Sequence, residues 1–229
     1  MKEITFISDT HTKHEEIHND LIGGDFLIHS GDIMSSGYNK MEIFDFLDWF
    51  SHIDNYEHKI FIAGNHDRYI ENNYEEFLKI ISKNEYNNII YLQDEEVIIN
   101  DIKFYGTPWQ PWFYNWAFNI PRNTDELRKK FEKIPLDTDI LITHTPPKSI
   151  LDYVPRSHEQ VGCEILLENI NKIKPSVNVF GHIHESYGNK KVGETEFINA
   201  SVLNINYKYT NKPVNILFDE QTKKIKYNN

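Results

Sequence analysis

The chain has 229 residues, with 35 acidic against 24 basic side chains, a formal charge of −11 and one cysteine. That length suits one domain over residues 1–229 with a layered core, and the acidic balance disfavours a groove for long nucleic acid. Lone Cys163 excludes an internal disulfide, no charged n-region with an apolar core opens the chain, and no apolar run approaches the ~20 residues of a membrane span, so a soluble cytoplasmic protein is expected.

The β-prone run 4–7 leads into Asp9-Thr10-His11, and residues 14–21 suit a helix. The run 26–28 leads into Gly31-Asp32, and residues 41–52 repeat Ile43, Phe44, Leu47 and Phe50 at helical spacing. The run 60–62 leads into Gly64-Asn65-His66-Asp67, followed by a helical pattern at 73–82. Short strands are predicted at 89–92, 97–99 and 102–105, the last two joined by a tight hairpin at Asn100-Asp101. Helical pattern returns at 124–132 behind the N-cap Thr124, and the run 140–142 then leads into Thr143-His144. A further helix is expected at 159–172, stopped before Pro175, with Cys163 as a small core residue rather than a nucleophile. The run 177–180 leads into Gly181-His182-Ile183-His184, and short strands follow, ending in 214–218. The fold class is α/β.

Each of these five motifs stands where a predicted strand ends. A divalent metal needs several donors converging on one point, and sheets bring strand ends together. By strand alternation Asp9 and His11 share a face, as do His182 and His184. Gly31 and Gly64 let the backbone turn close to the site, Asp32 can bridge two ions with its two oxygens, and Asn65 offers a hard neutral oxygen. His144 ends its own strand and completes the set. Singly, each is as well explained as a turn or surface residue. Together, the mixed nitrogen and oxygen donors fit two borderline divalent ions such as Mn²⁺, Fe²⁺ or Zn²⁺, with Ni²⁺ and Co²⁺ as further candidates.

The ordered motifs D-x-H, G-D, G-N-H-D, a lone H and G-H-x-H resemble those of the calcineurin-like metallophosphoesterase superfamily, from Asp9 to His184 with no ligand position substituted. The resemblance implies two mixed β-sheets packed as a sandwich flanked by helices. It assigns Asp9, His11 and His184 to one metal, Asn65, His144 and His182 to a second, and Asp32 to both. It also implies that Asn65 helps place the phosphoryl oxygens. His66 resembles the acid that protonates a departing alkoxide, with Asp67 orienting its ring; a structural role for His66 and a helix cap for Asp67 are the alternatives. Gly106-Thr107-Pro108-Trp109-Gln110-Pro111 with Trp116-Ala117-Phe118-Asn119, then His144-Thr145-Pro146-Pro147, Val161-Gly162-Cys163 and Phe197-Ile198-Asn199-Ala200-Ser201 are similar to a narrower branch, the metallophosphoesterase-domain-containing phosphodiesterases.

The aromatic run Trp109, Trp112, Phe113, Tyr114, Trp116 and Phe118 suits neither a helical stripe nor a strand. Core filling or an oligomer interface accounts for most of it, while Trp109 and Trp112 are the expected stacking surface for a nucleobase. The expectation is a dinuclear hydrolase of small, possibly cyclic, nucleotide diesters. A phosphomonoesterase or protein phosphatase on the same site is the alternative, with a non-catalytic metal-binding scaffold as the rival from another class. The oligomeric state is left open.

Overall fold

The computed structural model describes residues 1–227. Its first half runs β1 (Lys2–Ile7), β2 (Gly24–His29), α1 (Lys40–His52), β3 (Tyr56–Phe61), α2 (Arg68–Asn72), α3 (Tyr74–Ile81), β4 (Ile89–Tyr91), β5 (Glu95–Ile99) and β6 (Ile102–Thr107). There follow β7 (Gln110–Pro111), β8 (Asn119–Ile120), α4 (Asp125–Phe131), β9 (Ile140–Thr143), β10 (Tyr153–Val154), β11 (Glu159–Gln160), α5 (Glu164–Ile173) and β12 (Val177–Phe180). The last described strands are β13 (Gly188–Val192), β14 (Thr195–Asn199), β15 (Val214–Phe218) and β16 (Ile225–Tyr227).

Two six-stranded mixed sheets face each other, ordered β16-β15-β1-β2-β3-β4 and β13-β14-β12-β9-β6-β5. Their central strands are apolar on both sides because both faces are covered. Phe6, Phe26, Ile28 and Ile60 from one sheet meet Phe104, Ile142, Val179 and Ile198 from the other. The opposite face of the first sheet packs Ile7, Leu27 and Phe61 against Phe46 and Phe50 of α1 and Phe77 of α3. The second sheet turns Leu141, Phe180 and Phe197 toward Leu127 and Phe131 of α4 and Leu166 and Ile170 of α5.

The strand directions place the site. β1 to β4 are mutually parallel, and so are β6, β9, β12 and β14, so their carboxyl ends open on one edge of each sheet. A parallel bridge from Ser8 to Ser201 ties those two edges together. A crevice outside the carboxyl ends of parallel strands is a recurrent ligand site.

Two local expectations are adjusted and a third is met. Residues 14–20 form a tight 3₁₀ turn rather than an α-helix. The helix expected from 159 starts at Glu164, because Glu159 and Gln160 pair back on Val154 and Tyr153, and buried Cys163 caps the helix with its sulfur. The predicted hairpin at Asn100-Asp101 is present, both residues taking positive φ (51° and 58°), as a tight primed turn requires. Among the described residues no helix is long and apolar enough to cross a membrane.

Candidate metal centre

All seven predicted ligands lie at the shared carboxyl edge. Asp9 and His11 follow β1, Asp32 follows β2, Asn65 follows β3, His144 follows β9, and His182 and His184 follow β12. Asp9, His11 and His184 form one cluster and Asp32, His144 and His182 another, with ligand atoms in each no more than 4.8 Å apart.

The reason for the Asp9–His11 pairing differs from strand alternation. β1 has ended, and both residues take positive φ, 55° and 42°, in a left-handed turn. Asp32 and His182 do the same, at 59° and 67°. Non-glycine residues enter this region at a cost of roughly 1–2 kcal/mol each, and such strain collects at functional sites. The turn is fastened by the Asp9 N–H to the Gly31 carbonyl (3.0 Å) and the His11 N–H to the Asp32 carbonyl (3.1 Å). Gly181 is there for space: a Cβ on it would overlap Asp9 Oδ2 and Ser8 Oγ.

The imidazoles are oriented by backbone carbonyls. Nδ1 of His11 faces the Met34 carbonyl (3.0 Å), Nδ1 of His144 that of Ser30 (2.9 Å) and Nδ1 of His184 that of Asn204 (3.1 Å). A carbonyl only accepts, so each Nδ1 carries a hydrogen and Nε2 is the atom that can offer a lone pair to a metal once it holds no proton. Those Nε2 atoms converge on other acceptors. His184 Nε2 is 3.4 Å from His11 Nε2 and 3.3 Å from Asp9 Oδ1, and His144 Nε2 is 2.9 Å from Asn65 Oδ1 and 3.3 Å from Asp32 Oδ2. Acceptors gathered this closely need protons or cations between them, and the nitrogen–carboxylate mixture fits divalent metals.

Electrostatics follow the same geometry. Burial alone would raise the Asp9 carboxyl, but the hydrogen bond and charge of His184, with His144 and His11 behind them, hold it well below the usual carboxylate range. Burial opposes charge on His144 and His184 too. The charges and hydrogen bonds of Asp32 and Asp9 outweigh it, and both rings stand at about 9. His11, desolvated and less well paired, falls to about 4, and His182 falls to about 3 through burial and the nearby His144.

Two expectations need correction. Asp32 does not offer both oxygens: Oδ1 accepts the His66 backbone N–H at 2.7 Å, and Oδ2 alone faces both clusters, 3.3 Å from His144 Nε2 and 3.7 Å from His11 Nε2. Asp67 neither orients the His66 ring nor caps α2 with its side chain. Its buried carboxylate accepts the backbone N–H groups of Gly64 (2.7 Å), Asp32 (3.0 Å) and Met34 (2.9 Å), clamping two ligand loops together. The His66 ring is held instead by its Nδ1 against the Ser35 carbonyl. One nitrogen of that ring also lies within 4.8 Å of the ligand atoms of His11 and Asp32, so His66 stands at the mouth of the centre.

The aromatic run divides differently from expectation. Trp109 is structural: its Nε1 donates to Asp94 (2.9 Å), the Lys130 ammonium sits 3.7 Å over its ring, and Phe118 packs edge-on against it. Trp112 is exposed and makes no ring contact with any ligand. Of the rings that do reach the centre, Trp116 and Phe113 belong to the run but are not the two expected to stack, and Tyr207 lies outside it. Trp116 stacks on His66 with centroids 4.0 Å apart, Phe113 stands 6.1 Å from His182, and Tyr207 lies edge-on to His11 (4.9 Å) and His184 (5.5 Å). Tyr207 also holds a positive φ of 55°, a backbone strain no sequence pattern announces.

Comparison with known proteins gives a consistent picture. A family model described as calcineurin-like phosphoesterase matches residues 2–186. Metallophosphoesterase domain-containing protein 1 of Homo sapiens is 40% identical over 230 residues, spanning 91% of this chain and 68% of that protein. Its Mus musculus counterpart gives the same values, 40% over 230 residues. Among solved structures, TT1561 of Thermus thermophilus superposes with a TM-score of 0.67 at 15% identity, covering 100% of this chain and 98% of that one, a likeness of fold.

Proposed function

The chain belongs to the calcineurin-like phosphoesterase family, and from that premise we propose a dinuclear metal-dependent hydrolase of small phosphodiesters, nucleotide esters included. The observation that carries this reading is the single oxygen Oδ2 of Asp32 standing between two donor clusters. Asp9, His11 and His184 would hold one ion, Asn65, His144 and His182 the other, and Asp32 both. Bound there, two divalent ions, with Mn²⁺ the leading candidate, would supply Lewis-acid charge to the phosphoryl oxygens and acidify the attacking water.

The remaining work falls to this chain's own side chains. With the Nδ1 hydrogen donated to the Ser35 carbonyl, His66 turns only Nε2 outward; in the imidazolium form that atom gives its proton to the departing alkoxide and leaves the neutral ring still bonded to Ser35. The clamp by Asp67 keeps the Asp32 and Asn65 loops in register while this happens. Preference for diesters over monoesters rests on the branch resemblance and on charge. A diester carries one negative charge rather than nearly two, a smaller conflict with a protein of net charge −11.

The test is turnover of the Mn²⁺-loaded protein on a panel of aryl monoesters and diesters, linear and cyclic nucleotides and a phosphopeptide. Faster cleavage of the diesters supports the reading. Faster cleavage of the monoesters or the phosphopeptide replaces it with a phosphatase, and no turnover of any member replaces it with a metal-binding scaffold.

A further inference from the structure

We propose that Trp116 is a positioning residue for His66, fixing the plane of the imidazole from which the leaving-group proton departs. This rests on reading His66 as the acid. The terminal torsion of a histidine is broad and roughly two-fold, so one hydrogen bond at Nδ1 leaves the ring free to rock about that contact. The indole removes this freedom. The two rings stack at 4.0 Å and 25°, while the His11 ring meets His66 edge-on at 4.5 Å and 78°. Three sides of the imidazole are thereby defined by the Ser35 carbonyl, the Trp116 face and the His11 edge.

The indole is itself anchored to the loop that carries the acid. The Asn119 amide donates to the Trp116 carbonyl (2.9 Å) and to those of Tyr114 (2.9 Å) and Phe113 (3.3 Å), so the segment 113–116 is wound round one side chain. The next residue, Ala117, donates its N–H to the Asn65 carbonyl at 3.0 Å. The guanidinium of Arg68, two residues beyond His66, lies 4.6 Å over the same indole and is held by the Tyr38 hydroxyl (2.8 Å). Trp116 is only half-buried, so core packing does not account for a tryptophan here. The aromatic ring stacked on it is that of the acid.

The experiment compares two diesters in the metal-loaded protein, one releasing nitrophenolate, which leaves without a proton, and one releasing a ribose alkoxide, which needs one. Trp116→Ala should lower kcat on the nucleotide diester by about 10²-fold, the scale of an ångström misplacement, and on the nitrophenyl diester by less than tenfold, with KM little changed. Trp116→Phe, which keeps a flat ring, should recover most of the loss. Trp116→Leu, which keeps apolar bulk without one, should not, and it stands in for the alanine variant if that fails to fold. Independently of turnover, the His66 Hε1 resonance of the Zn²⁺-loaded protein, assigned by its loss in His66→Ala, should move on losing the indole ring current in Trp116→Leu and stay shifted in Trp116→Phe. Equal losses on both diesters, recovery by Leu as good as by Phe, or an unmoved resonance would overturn the role of Trp116. If His66→Ala itself loses both diesters equally, the acid reading fails instead.

Discussion

One oxygen of Asp32 is taken by His66: Oδ1 accepts that residue's backbone N–H at 2.7 Å, and only Oδ2 is left between His144 at 3.3 Å and His11 at 3.7 Å. The bridging proposed for this carboxylate would thus rest on one atom, while its other oxygen holds the His66 backbone. Replacing Asp32 by Asn exchanges a charged carboxylate for a neutral amide at this shared point. Metal content after Mn²⁺ loading and gel filtration should fall from about two ions per chain to below one, with activity falling in parallel. A variant that keeps both ions would show that the Oδ2 bridge is dispensable.

Asp67 offers a contrast within the same motif. Its carboxylate accepts the N–H groups of Gly64, Asp32 and Met34, so Asp67→Ala leaves buried donors without partners. Each such donor costs about 1–3 kcal/mol, and urea unfolding should show a loss of at least that size. Since the carboxylate serves the backbone and not the His66 ring, Asp67→Asn should slow nitrophenyl and nucleotide diesters to a similar degree. A selective loss on the nucleotide ester would restore the expected pairing with His66.

The gathering of the seven candidate ligands was legible because Asp, His and Asn at the ends of apolar runs need only the parallel order of β1, β2 and β3 in one sheet and of β9 and β12 in the other to bring them together. The conformation that joins them was not. Asp9-Thr10-His11 reads equally well as the last alternation of a strand and as the left-handed turn it forms, because positive φ in Asp and His leaves no mark on composition. Asp67 was misassigned for a similar reason. Adjacency to His66 suggested a partner, whereas the side chain reaches Asp32 and Met34, thirty-five and thirty-three positions away. The contacts of Trp116 and Tyr207 were hidden because their partners, His66 and His11, are distant in the chain.

The tryptophans give the corresponding stability test. Trp109 combines a bond to Asp94, a cation over its face and an edge contact with Phe118, so Trp109→Ala should destabilise the fold by about 1–3 kcal/mol without altering preference between nucleotide and aryl diesters. Exposed Trp112 should be worth no more than about 0.5 kcal/mol when replaced by Ala. A change in substrate preference in either folded variant would return that residue to the pocket.

Metal loading should expel protons. In the metal-free protein His144 and His184 stand at about 9, so both are protonated at neutral pH, yet coordination needs their Nε2 lone pairs. Binding two ions at pH 7 should therefore release about two protons, seen by calorimetry in buffers of different ionisation enthalpy. The sign follows directly. As pH falls below 9 the competing protons are held more firmly and apparent metal affinity weakens; as pH rises through 9 both release and pH dependence fade. No buffer dependence at pH 7 would mean the two rings are already neutral.

The most direct measurement is a metal titration of the stripped protein, with bound metal and hydrolysis of an aryl phosphodiester followed in the same samples. Activity should be absent without metal, rise with Mn²⁺ until about two ions per chain are bound, and disappear again with a chelator. Full activity in protein shown by elemental analysis to hold no metal would contradict the account at its centre.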